Sequence, residues 1–92
     1  MSVTVRIPGP LRKITNGADK VEVEGANLGD LIDAMENDHP GMKERLLDGN
    51  GELRYFVNLY LNNEDIRFLA GLSTALNAGD EVSIVPAVAG GR

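Results

Sequence analysis

The residues of this chain whose types and spacing bear most directly on chemistry lie at its end. Val85-Pro86-Ala87-Val88-Ala89-Gly90-Gly91-Arg92 follows a strand-like run and has no helix or strand pattern of its own. It reads as a flexible peptide leaving a folded body. Two glycines make it thin, because without a Cβ a Gly-Gly segment enters channels closed to other residues. The six residues from Pro86 to Gly91, if extended, reach roughly 20 Å at about 3.3 Å per residue. That distance would place a terminal carboxylate inside another protein's active site. A Gly-Gly pair alone also fits an uninformative floppy end.

The rest of the chain offers little that could catalyse. There is no cysteine, which excludes disulfides, thiolate metal sites and cysteine nucleophiles. The single histidine, His39, has no second ligand or nucleophile near it in sequence and reads as a helix-end residue. Asp30, Asp33, Glu36 and Asp38 form a row of carboxylates, but at helical spacing among polar residues they read as a solvated face rather than a cation site. No metal ligand set is expected.

Composition narrows the classes further. The 92 residues suffice for one domain. A formal charge of −5 with nine scattered basic residues argues against nucleic-acid binding, which needs concentrated Lys and Arg. The opening residues show neither a signal peptide nor an apolar run long enough to cross a membrane. A soluble, cytoplasmic protein with no membrane association is expected.

The elements that position the tail follow from periodicity. Residues 3–7 alternate apolar and polar, as do residues 21–24, and a long loop through Pro8-Gly9-Pro10 joins them into a hairpin. Asn27 is a plausible N-cap, and Leu28, Leu31, Ile32 and Met35 fall on one helical stripe that His39-Pro40-Gly41 ends. One further helical turn at residues 42–47 precedes a turn at residues 48–51. Strands are expected at residues 55–61, at residues 66–68 after the turn Asn62-Asn63-Glu64-Asp65, and at residues 81–85. A short turn is placed at Thr74-Ala75-Leu76. The order β-β-α-β-β-β with one main helix matches an α+β, β-grasp connectivity. In that fold four to five strands form a mixed sheet whose first and last strands are adjacent and parallel. Residues 1–85 are assigned to the domain and residues 86–92 to the tail.

Over essentially its whole length, including the opening strand and Leu28-Gly29-Asp30-Leu31 on the helix, the sequence resembles the ThiS/MoaD family of ubiquitin-like sulfur carriers. The stretches that carry the likeness are Phe56-Val57-Asn58-Leu59-Tyr60-Leu61-Asn62, Glu64-Asp65-Ile66-Arg67-Phe68 and the run from Leu76-Asn77-Ala78-Gly79-Asp80-Glu81-Val82 through Pro86-Ala87-Val88-Ala89-Gly90-Gly91. The resemblance implies that an E1-like enzyme uses ATP to adenylate Gly91. Sulfur then displaces AMP to leave a thiocarboxylate that donates sulfur in cysteine, molybdopterin or thiamine biosynthesis. The chain would then be a substrate and sulfur donor with no catalytic residues or bound cofactor of its own. Gly91 would carry the reacting carbonyl, with Gly90 and Ala89 keeping its approach unhindered. Its implied partners are the activating enzyme and a sulfur-acceptor synthase.

Strand alternation adds a docking proposal. Val3, Val5, Ile7, Val57, Leu59, Leu61, Val82 and Ile84 are expected to face the helix. Thr4, Arg6, Phe56, Asn58, Tyr60, Ser83 and Val85 are expected on the opposite face, where Phe56 and Tyr60 would meet a partner. Val85, Pro86, Ala87, Val88 and Ala89 would continue that contact along the tail. Family members ready for activation end at glycine, so Arg92 suggests a precursor clipped by a protease, hypothesised to be a metalloprotease of the deubiquitinase type. An artefact of expression or a tolerated extension is the other reading. The same domain and tail also suit a ubiquitin-like modifier conjugated through Gly91 to target lysines, or a standing subunit of a sulfur-transfer enzyme.

Overall fold

A computed structural model describes residues 2–86. Five strands form one sheet in the order β2-β1-β5-β3-β4, where β1 is Val3–Arg6, β2 Lys20–Val23, β3 Val57–Leu61, β4 Glu64–Asp65 and β5 Glu81–Pro86. β1 and β5 run parallel in register Thr4↔Glu81, Val5↔Val82, Arg6↔Ser83, and the remaining pairs are antiparallel. The first and last strands are neighbours at the centre of a mixed sheet, as in a β-grasp.

The long β1–β2 connection stays close to the body through its own polar groups. Pro8 and Pro10 suit the 3₁₀ turn at Gly9–Leu11, and Arg12 Nε donates to Ile7 O at 3.0 Å. Thr15 is buried with its hydroxyl 2.8 Å from the Ala18 carbonyl oxygen. Helix α1, Leu28–Asp38, begins where Asn27 Oδ1 accepts from the Asp30 N–H at 2.8 Å. Its buried stripe is Leu28, Leu31, Ile32 and Met35, the four positions expected from their spacing. After Gly41, which adopts φ +100, the short helix α2, Met42–Leu46, buries Met42 and Leu46. The Glu36 carboxylate ties the two helices together by accepting from the N–H groups of Gly41 and Lys43. These bonds, that from Lys43 foremost, hold its pKa below the ordinary carboxylate value. The helices and the inner sheet face enclose one core that includes Val5, Leu28, Leu31, Leu59, Val82 and Ile84.

Several boundaries differ from the sequence reading. Residues 66–68 form a 3₁₀ turn rather than a strand, because the Asp65 side chain accepts from Arg67 N–H and curls the chain there. The strand preceding it is Glu64–Asp65, paired with β3 through a two-residue turn in which Asn62 and Asn63 both have positive φ, 51° and 74°. β3 starts at Val57 rather than Tyr55, since Val57 N–H bonds back to Arg54 O and turns the preceding residues out of the ladder. β5 runs one residue beyond residue 85, so Pro86 belongs to the sheet. The turn near residue 74 is a 3₁₀ turn at Gly71–Ser73, after which Ala75 bridges Asn27.

Candidate functional site: the end of the central strand

The candidate site is the end of β5, from which the sequence continues toward Gly91. β5 is held on both sides, by β1 and by β3, so the position of Pro86 is fixed by the fold. Asn62 N–H donates to Glu81 O at 2.8 Å, and this bond sets the alternation of the antiparallel ladder. Tyr60↔Ser83 and Asn58↔Val85 are then hydrogen-bonded pairs, whereas Leu59↔Ile84 and Val57↔Pro86 are not. A proline lacks the N–H a ladder uses. At this position β3 requires no donor from it, and β1 has already ended at Arg6. Pro86 therefore closes the strand at no cost in hydrogen bonds.

Opposite Pro86, Val57 is secured from the other side. Its N–H donates to Arg54 O at 3.0 Å, and its carbonyl accepts from Arg67 Nη2 at 3.2 Å. Sequence reasoning missed this role of Arg67. It depends on the 3₁₀ turn bringing residue 67 back beside the start of β3, and no local pattern announces that return.

Register brings most of the expected outer face together. Thr4, Arg6, Asn58, Tyr60, Ser83 and Val85 alternate with the buried positions of β1, β3 and β5. The face divides chemically. On the β1 side, Thr4 Oγ1 donates to Glu22 at 2.7 Å and Arg6 pairs with Glu81 at 3.3 Å. The Thr4 hydroxyl, followed by that of Ser2, holds the Glu22 pKa below the usual carboxylate value. On the β3–β5 side the face is less polar, with Tyr60 half-buried and Val85 41% exposed.

Phe56 does not join Tyr60. It lies before β3, 37% exposed, in edge-to-face contact with Tyr55 at 5.3 Å between ring centroids. It lines a groove with Ile84 and Pro86, on the side of the sheet that faces the helices. The alternation that would place it on the outer face fails because the ladder begins only at Val57. The expectations for Ala87, Val88, Ala89, Gly90, Gly91 and Arg92 fall outside the described residues. Among the described residues no three His, Cys, Asp or Glu side chains group so as to hold a metal ion. No described helix is long and apolar enough to cross a membrane.

Comparison with known proteins extends this geometry. The model of the ThiS family matches residues 5–91, through both glycines. Sulfur carrier protein CysO of Mycobacterium tuberculosis is 50% identical over 93 residues, covering 99% of this chain and 100% of the relative. The crystal structure of M. tuberculosis CysO superposes with a TM-score of 0.89 at 48% identity, over 94% of this chain and 99% of that one. The BexX/CysO complex of Amycolatopsis orientalis contains a chain with a TM-score of 0.89 at 44% identity, over 94% and 96% of the two chains. Small archaeal modifier protein 1 of Haloferax volcanii gives a TM-score of 0.80 at 31% identity, over 96% and 97%. The chain belongs to the ThiS/MoaD family and is a β-grasp sulfur carrier protein.

Proposed function

We propose that this carrier holds its sulfur as a thiocarboxylate on Gly91, and that Arg92 is removed first. The carrier serves cysteine or cofactor biosynthesis and is a substrate of enzymes rather than an enzyme. The observation that carries the reading is the end-to-end likeness to sulfur carrier protein CysO together with a family match that reaches residue 91. A carboxylate is a poor electrophile, so an E1-like partner consumes ATP to form the acyl-adenylate and release pyrophosphate. A sulfur nucleophile then displaces AMP and leaves the C-terminal C(=O)–S⁻ group. The thiocarboxylate sulfur attacks an acceptor held by a synthase to form a thioester, and hydrolysis of its acyl C–S bond leaves the sulfur on the acceptor and returns the carboxylate.

The folded body serves as the handle, and the five residues after Pro86 up to Gly91 would reach about 17 Å if fully extended at about 3.3 Å per residue. That span suits insertion of the reacting carbonyl into a buried site. With Arg92 attached, the carboxylate sits on the wrong residue and beside a charged side chain, so a protease, of the metalloprotease type, must act before activation. A crystallised complex of a relative with BexX supports work alongside a partner protein.

The test is the intact mass of the protein isolated from its native host. A mass lower by one arginine residue and higher by one oxygen-to-sulfur exchange is the expected result. Retention of arginine together with adenylation of the full-length chain refutes the processing step. The 31% identity to a small archaeal modifier protein keeps one second reading in view, conjugation through Gly91. Branched Gly-Gly remnants on lysines of other proteins, with no sulfur on the free chain, would establish that reading instead.

A further inference from the structure

The groove beside the end of β5 combines an apolar wall with two guanidinium groups. Pro10 and Leu11 come from the β1–β2 connection, Phe56 and Pro86 from the strand ends, and Arg45 and Arg54 from α2 and the segment leading into β3. Arg54 is held by its Nε, which donates to Glu44 O at 2.8 Å, and its charge is shared with the nearby Asp48 carboxylate. Arg45 is exposed and, among the described residues, has no hydrogen-bond or ion-pair partner. Glu44 also lines the groove, which leaves one positive charge in excess.

That excess belongs to a wider polarity. Parallel pairing of β1 with β5 places the end of β1 at the same end of the molecule as Pro86. Lys20 lies opposite Arg6 there, and Arg12 is bonded to Ile7 O. Glu64 and Asp65 on β4, and Asp80 ahead of β5, occupy the other end. In a chain of net charge −5, Arg12, Lys20, Arg45 and Arg54 thus lie toward the end of the molecule where β5 finishes, with Asp19 and Glu44 among them. Such an arrangement turns that end toward a negatively charged partner surface during encounter.

We propose that this groove docks a loop of the activating enzyme that carries a carboxylate next to an apolar side chain. The apolar side chain packs against Pro10, Leu11 and Phe56. The carboxylate pairs first with the unpaired Arg45 guanidinium, with Arg54 beside it on the groove wall, a geometry guanidinium groups meet well. The occupant follows from charge complementarity and from reach: an enzyme that takes Gly91 lies within about 17 Å of Pro86, itself part of the groove wall. The proposal rests on the reading that an enzyme activates Gly91.

The test uses full chain ending at Gly91, the activating enzyme from the same organism, and pyrophosphate release measured against carrier concentration. Arg45→Glu raises KM about ten-fold, with the effect on KM rather than kcat, and added salt weakens the wild type more than the variant. Lys13→Glu makes an equal charge change outside the groove and shifts KM by less than about two-fold. Arg54→Lys keeps the charge without the fork and falls between. Thermal unfolding verifies that each variant is folded. An active wild type whose KM is matched by Arg45→Glu overturns the groove proposal alone. So does a fall in KM, which would mean that the chain's own tail or a second copy had filled the groove. An inert wild type overturns the reading of Gly91, and the groove proposal with it.

Discussion

Gly25 lies between β2 and α1, and the geometry there predicts a large cost for one added methyl group. A Cβ at this position would sit 2.7 Å from the backbone nitrogen of Leu31 and 2.8 Å from its Cα. Ordinary contact begins at 3.4 Å, so α1 must retreat by about 0.7 Å. The obstacle is helix backbone and cannot rotate away. The helix also carries Leu28, Leu31, Ile32 and Met35 into the core, so its retreat loosens all four. Overpacking of this kind costs about 1–3 kcal/mol, and a rigid obstacle belongs in the upper part of that range. Loss of unfolded-state freedom on replacing glycine returns about 0.4–1 kcal/mol. The net expectation for Gly25→Ala is about 2 kcal/mol of destabilisation. For a domain of this size that lowers Tm by about 8–16 °C. Urea and thermal unfolding followed by circular dichroism measure it, with Gly49→Ala as control. At Gly49 an added methyl would meet no atom within 4 Å, and φ is not positive, so its replacement should be neutral or slightly stabilising. Stabilities for the two variants that agree within about 0.5 kcal/mol would refute the argument. Sulfur loading per folded molecule is expected to stay unchanged, because the reacting residue is remote from Gly25 in sequence.

Two further outcomes concern the helices. Asn27→Ala removes the acceptor for Asp30 N–H and should cost about 1 kcal/mol by urea unfolding, with Asn27→Asp restoring most of it. Glu36 has a depressed pKa caused first by the Lys43 N–H and then by that of Gly41. Its contribution is therefore fully present above the ordinary carboxylate value and is lost as pH falls through the lowered one. The urea midpoint should drop on acidification below that ordinary value, and Glu36→Gln should show a shallower drop; identical slopes would contradict the capping role.

Much of the fold was legible because each element is amphipathic on its own. The stripe of Leu28, Leu31, Ile32 and Met35 and the alternation in β1 and β5 each report burial directly, and all of those helix positions are buried. Errors arise where polar local chemistry outranks alternation. Ile66-Arg67-Phe68 alternates like a strand, with Ile66 buried and Phe68 83% exposed, yet an Asx-type bond from Asp65 curls it into a 3₁₀ turn. The neighbouring Asn62-Asn63 pair is a sufficient hairpin signal, and its two positive φ values make the strand after it begin at once. Carrying the pleat of β3 two residues too far misplaces Phe56. The last rung itself depends on Arg67 reaching Val57 and on a proline at a position that spares its missing N–H. Both need the register, which no stretch of sequence contains alone. The Gly-Gly end takes its chemical reading from family likeness alone, since the glycines by themselves carry no pattern that distinguishes them from any other chain end.

The place of β5 also governs when a tail can be presented at all. Without it the sheet falls into two separate hairpins, β1 with β2 and β3 with β4, because β5 alone bridges them. Its pairing with β1 joins Thr4 to Glu81, a separation of 77 residues along the chain. Contacts that distant form late and require the C-terminal part of the chain to have been made. A polypeptide that stops before β5 thus lacks both the joined sheet and the glycines that follow it. The sheet therefore closes only once the last strand is in place, so a partner that recognises the joined sheet meets only chains whose body is folded.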